Sequence, residues 1–147
     1  MSDPAMFVDD PSYEVIRACI DRLRTTSQLA ELGITTVYDP PPQSSAITSP
    51  YLSLGMSTVE RDDATCIGSQ EVYFDFDVWS WGSGTAGSSV LARRIANVVA
   101  TALHDMSLTL TDNRLVNIEH RSTEIFRDAD GLTNHGVVRF WASVERR

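Results

Sequence analysis
The chain has 147 residues, 42% of them hydrophobic, and a formal net charge of −8. Its length matches one domain, since domains cluster at roughly 100–150 residues, and a chain of this size buries about 68–70% of its unfolded surface without a metal or disulfide staple. All twelve cations are arginine, and an acidic chain without lysine is poorly suited to gripping phosphates, which excludes a DNA-binding regulator but leaves a protein that DNA merely passes.

Asp10-Pro11 predicts a helix start, with Asp10 as N-cap and Pro11 at the first helical position. Val15, Ile16, Cys19, Ile20 and Leu23 then fall on one helical face. Residues 27–32 predict a further short helical turn closed by Gly33. The β-branched and aromatic run 34–38 predicts a short strand, broken by Asp39-Pro40-Pro41-Pro42. Residues 43–50 predict a polar arm, and 51–59 a second strand. A third strand, 70–80, has the clearest alternation, with Val72, Phe74, Phe76 and Val78 on one side and Tyr73, Asp75, Asp77 and Trp79 on the other. The acidic loop between these two strands, near 60–69, is too long for a tight turn and should project. Residues 88–104 predict a long amphipathic helix with a stripe of Leu91, Ile95, Val98, Val99, Ala102 and Leu103, while Arg93, Arg94 and Asn97 face elsewhere. Residues 115–126 and 136–144 predict two long strands joined around Asp130-Gly131. The order α-β-β-β-α-β-β implies an α+β domain: a mostly antiparallel sheet with helices packed on one face.

Candidate chemistry is sparse. Cys19 lies on the apolar stripe and Cys66 in a polar loop, and neither has a CxxC partner. The acidic N-terminus lacks a basic segment followed by an apolar run, and no apolar run approaches the roughly 20 residues that span a bilayer, so the chain reads as soluble and made in a reducing compartment. Gly82-Ser83-Gly84-Thr85-Ala86-Gly87 matches GxGxxG between a strand and a helix. A dinucleotide site, however, wants a first strand buried on both faces, and this strand carries Asp75 and Asp77. Asp128-Ala129-Asp130-Gly131 resembles the start of a calcium loop, but Leu132 and Arg139 stand where the fifth and twelfth ligands belong, so the segment reads as a hairpin turn. Asp75 and Asp77 share a face and are a carboxylate pair with no histidine nearby in sequence. His104, His120 and His135 lack the i, i+4 spacing of a helical zinc site, and no serine sits in a GxSxG elbow. No catalytic residue, cofactor or metal is expected from these patterns.

Several segments together resemble one family. They are Val37-Tyr38-Asp39 with the following prolines, Pro50-Tyr51-Leu52-Ser53-Leu54-Gly55, Val78-Trp79-Ser80 before the long helix, Ala102-Leu103-His104-Asp105 at its end, and Arg127-Asp128-Ala129-Asp130-Gly131-Leu132-Thr133-Asn134-His135-Gly136 opening the final strand. In order and spacing the chain resembles the tail-completion, or tail-terminator, proteins of long-tailed bacteriophages and gene transfer agents, from about residue 13 to residue 145. The polar arm is longer than the compact turn usual in that family. The resemblance implies a structural virion-assembly protein rather than an enzyme, located at the head-tail joint and treated as a single tail-terminator-like domain. It implies a ring, commonly hexameric, that caps the tail tube, meets the head connector or neck protein, and lets DNA through without specific binding. A neck or head-completion adaptor is the alternative within assembly proteins, and a small nucleotide-binding enzyme using 82–87 is the alternative outside them.

A ring needs two different patches on each subunit, and the charge is uneven in a way that offers them. Residues 1–113 carry 15 acids and 6 arginines, residues 114–147 carry 5 acids and 6 arginines. Glu60, Asp62 and Asp63 on the projecting loop are candidates for the lumen or tube. Arg127, Asp128 and Asp130 at the hairpin tip are candidates for a subunit or connector contact, and Asp75 and Asp77 for an interface or the lumen.

Overall fold
A computed structural model describes residues 10–39, 43, 47–61 and 68–147. Helix α1 (Pro11–Arg24) starts where Asp10 and Pro11 place it, the Asp10 carboxylate accepting from the Ser12 amide at 2.7 Å. Its expected stripe is buried at Val15, Ile16, Cys19 and Leu23, with Ile20 packed at the margin. After α2 (Ser27–Glu31) the chain turns at Gly33, whose φ of +92° suits glycine.

The strand expected over 34–38 shrinks to β1 (Val37–Tyr38). Ile34 is instead buried against the helices, its amide donating to the Leu29 carbonyl at 2.9 Å, so only the last two residues reach the sheet. They pair in parallel with β2 (Tyr51–Arg61), which makes the sheet mixed at this edge. Pro40, Pro41 and Pro42, residues 44–46 of the polar arm, and Asp62, Asp63 and Cys66 of the acidic loop lie outside the described residues.

Strand β2 pairs antiparallel with β3 (Ser69–Ser80) through a bulge between Leu54 and Ser57. Helix α3 (Val90–Leu103) then carries the chain across, and β4 (Asn113–Arg127) and β5 (Asn134–Arg146) form a long hairpin with β5 inserted beside β3. The sheet order is β1-β2-β3-β5-β4. Helix α1 packs on β1, β2 and β3, and α3 on β3, β5 and β4, so both cover one face. The core between the layers is anchored by Phe74, Phe76 and Phe140, all essentially inaccessible, with Phe74 and Phe140 stacked 5.5 Å apart. Full burial of each such side chain contributes about 1.5–3 kcal/mol.

The expected phase of β3 holds: Val72, Phe74, Phe76 and Val78 face the core. The expected stripe of α3 holds in part, at Ile95, Val99 and Leu103. Ala92, Ile95, Ala96, Val99, Ala100 and Leu103 are buried, while Leu91, Val98 and Ala102 pack only at the margin. Three small residues face the sheet, which lets the helix approach closely, and the larger residues seal the flanks.

Candidate interaction face
No described helix covers the other face of the sheet. Residues out of phase with the core therefore stand on it, and strand register lines them up. Tyr51 of β2 pairs with Trp79 of β3, Trp79 with His135 of β5, and His135 with Phe126 of β4. This row is in contact along its length. Tyr51 and Trp79 stack at 6.0 Å, Trp79 and His135 at 3.8 Å, and Phe126 lies 4.8 Å from His135. Tyr38 of β1 and Trp81, just beyond β3, meet the Tyr51 ring edge-on at 6.1 and 6.0 Å. The Trp79 indole N–H donates to Ser53 Oγ at 3.2 Å, which fixes its plane.

Behind the aromatic row lie Asp77 and Asp75, on one face as their spacing required. The structure gives each a partner that sequence distance hid. His135 Nε2 is 2.9 Å from Asp77 Oδ1, with both side chains less than a fifth exposed. Arg139 lies 4.0 Å from Asp75 and pairs more closely with Glu124. Burial pushes the Asp75 carboxyl above its ordinary 3.8 and Asp77 adds to this, while Arg139 opposes it. Burial, together with Asp77 and Asp128, likewise raises the Tyr51 phenol. Gly55 lets these acids lie close over β2, because a Cβ there would sit 2.8 Å from Asp77 Oδ2. Among the described residues no group of three His, Cys, Asp or Glu converges as a metal site would require.

The hairpin-tip candidates have distinct surroundings. Asp130 holds the turn, its carboxylate accepting from the Leu132 and Thr133 amides at 2.8 and 2.9 Å and from the Thr133 hydroxyl at 2.7 Å. Those bonds, the hydroxyl's first, keep its carboxyl below the usual value. Arg127 donates to the Gly87 carbonyl at 3.2 Å and ties the hairpin to the glycine-rich loop. Asp128 stands on the rim of a groove of about 430 Å³ lined by Tyr51, Trp79, Trp81 and Leu132. Glu60 lies at the far end of the same face, opposite Glu71. Asp62 and Asp63 fall outside the described residues.

The 82–87 loop is built differently from a dinucleotide turn. The strand before it, β3, is antiparallel to both neighbours, whereas the fingerprint opens a parallel βαβ unit. Its backbone folds back on itself, with no room for a Cβ on Gly87 against Gly82. Asn134, buried at the start of β5, points its amide at the carbonyls of Ala86, Gly87 and Ser88, 3.0–3.3 Å away. A loop that gathers carbonyl oxygens around one side-chain donor anchors α3 to the hairpin.

Sequence reasoning missed the aromatic row and Asn134. Tyr51, Trp79 and His135 were visible in the sequence, but only strand register makes them neighbours.

Helices on one face and an aromatic face that no described helix covers define a small α+β protein. The chain belongs to the tail completion protein gp17 family, whose sequence profile matches residues 17–145. Among solved structures it is similar to a chain in the virion of a native gene transfer agent particle, with 27% identity, TM-score 0.75, and 93% of this chain and 99% of that one covered. It shares its fold with bacteriophage SPP1 gp17 at 19% identity and TM-score 0.56, covering 89% and 88% of the two chains. No curated protein matches it in sequence.

Proposed function
We propose that this protein is a structural component of a phage or gene transfer agent tail, acting as a single unit that forms a ring, caps the tail tube and joins it to the head connector at the head-tail joint. The observation that carries this reading is the near-complete mutual coverage with a chain of a gene transfer agent virion, on top of membership of a tail-completion family. Two physical features support it. The molecule has two unlike faces, one helical and one an open sheet, and unlike patches are what a head-to-tail ring requires. Its net charge of −8 suits a passage for DNA, because a wall of like charge keeps the duplex from adhering. Six copies are expected from the family resemblance. The loop bearing Glu60, Asp62 and Asp63 then faces the lumen or the tube, and Arg127, Asp128 and Asp130 lie toward a subunit or connector contact.

Electron microscopy of the purified protein, alone and mixed with tail tubes, tests this. Closed rings, and rings seated on tube ends, are expected. Protein that stays monomeric and leaves tube ends bare overturns the reading.

A further inference from the structure
We infer that the groove beside the aromatic row seats an arginine carried by helix α3 of a second copy of this chain. This rests on the ring reading above and names the contact that would close the ring.

The groove has the chemistry that recognises a guanidinium. Trp81 stands nearly perpendicular to Tyr51, beside the stacked Tyr51–Trp79 pair whose planes are 18° apart, and Asp128 supplies a carboxylate to the lining. Leu132, 71% exposed, and Ile47 complete the rim with apolar surface. A guanidinium is planar, delocalised and weakly hydrated, so it stacks on aromatic faces and still pairs with a carboxylate. An ammonium, compact and strongly hydrated, is a poorer fit. Another copy of this chain brings only guanidinium groups, because it holds twelve arginines and no lysine.

Helix α3 is the element suited to deliver one. It presents Arg93 and Arg94 side by side and exposed, and its fourteen residues contain no acid. Helix stability does not account for them, since cations near a helix N-terminus oppose the macrodipole. Of the α3 pair, Arg93 holds its Nε on Ser89 Oγ at 3.0 Å, and the arginines of α1 are likewise engaged within their own subunit. Arg22 donates to the Ala102 carbonyl at 3.1 Å, Arg24 to the Val37 carbonyl at 3.3 Å and Arg17 to the Tyr13 hydroxyl at 2.8 Å. The α3 arginines lie on the helical side of the sheet and the groove on its open side, so one copy cannot fill its own groove. Charge complementarity between the two faces therefore favours a contact between copies that uses two different patches, and such a contact propagates head to tail until it closes. Exposed apolar residues around the seat exclude water from the cation, as at other interface anchors.

Two variants test the assignment: Asp128→Arg, which spoils the groove, and Arg93→Asp with Arg94→Asp, which spoils the helix. All three positions are exposed, and circular dichroism with urea unfolding verifies that each variant folds. By native mass spectrometry each variant alone should be monomeric where the wild type assembles. Each retains one good patch, so titrating one against the other should produce a heterodimer that stops at twice the monomer mass, with a shift in tryptophan emission as Trp79 and Trp81 are covered. Arg93→Lys with Arg94→Lys keeps the charge and should still weaken assembly about tenfold or more. Rings formed as in the wild type by either charge-reversed variant, or full assembly by the lysine variant, overturn the guanidinium seat while leaving the ring reading intact. A wild type that never assembles overturns both.

Discussion

At the scale of single residues, two carboxylates show opposite uses of burial. Glu14 sits on the buried side of α1 and accepts from the amides of Thr111, Asp112 and Asn113 at 2.8–3.1 Å and from the Asn113 side chain at 2.8 Å. Burial pushes its carboxyl up, but the four donors together outweigh burial and hold it below 4.5. Its stabilisation is therefore complete above pH 4.5 and is lost as pH falls through the depressed value. Glu14→Gln turns an NH₂ group toward amide donors and should lower unfolding free energy by about 3 kcal/mol, with a flattened acid limb, as measured by urea unfolding across pH. Asp75 is the reverse case. Its carboxyl is raised by burial and by Asp77, so the ionised form is a liability to the fold that fades as pH falls toward 3.8. Asp75→Asn should stabilise the protein by up to about 1 kcal/mol at pH 7 and by nothing at low pH, a result readable from thermal midpoints. A carboxylate kept against stability is consistent with a role at an interface. Neither behaviour was legible in the sequence. Glu14 reads as an ordinary first-turn acid, because its donors come from a loop almost a hundred residues away.

At the scale of elements, legibility followed how local the cause was. The start of α1 was readable because an N-cap and a proline act within three residues. The phase of β3 was readable because alternation is a property of the strand alone. The length of β1 was not, because whether Ile34 enters the sheet or the core depends on how α2 ends. Half of the buried stripe of α3, Ile95, Val99 and Leu103, was readable, and the other half was misplaced for a related reason. Hydrophobicity favoured Leu91 and Val98, but the distance between helix and sheet favours alanines at the contact. Ala96 is 1% exposed where α3 meets the sheet, so Ala96→Leu should crowd the helix against the sheet and cost about 1–3 kcal/mol. Ala96→Ser, nearly the same size, should cost less, and comparing the two denaturation midpoints separates overpacking from loss of an apolar surface. The candidate site was less legible than the fold. Asp75 and Asp77 could be put on one face, but their pairing with Arg139 and His135 required the β3–β5 register.

At the scale of the molecule, what counts is where charge sits relative to a passing duplex. The Debye length is about 8 Å at physiological ionic strength, so an overall −8 cannot by itself keep DNA from sticking to a channel wall. Only acids close to the duplex matter. The open face mixes acids with Arg139 and Arg121 in its middle, but at its far end Glu60 and Glu71 face each other across β2 and β3. Like charges in that position gain nothing for the sheet, and the chain continues from there to Asp62 and Asp63. If this end lines the lumen, reversing its charge should convert a repelling wall into a retaining one. Asp62→Arg with Asp63→Arg should leave the unfolding midpoint within about 0.5 kcal/mol of the wild type, as exposed substitutions do. Purified variant rings should then retain duplex DNA at low salt and release it as salt rises, because each arginine–phosphate contact displaces counterions. Wild-type rings should retain none at either salt. In particles, the same variant should give normal tails but roughly tenfold less DNA delivery, the size of effect that retaining contacts of about 1.4 kcal/mol would produce. Variant rings that ignore DNA, together with unchanged delivery, would place this loop away from the channel. Loss of tail joining with normal DNA release would place it against the tube instead.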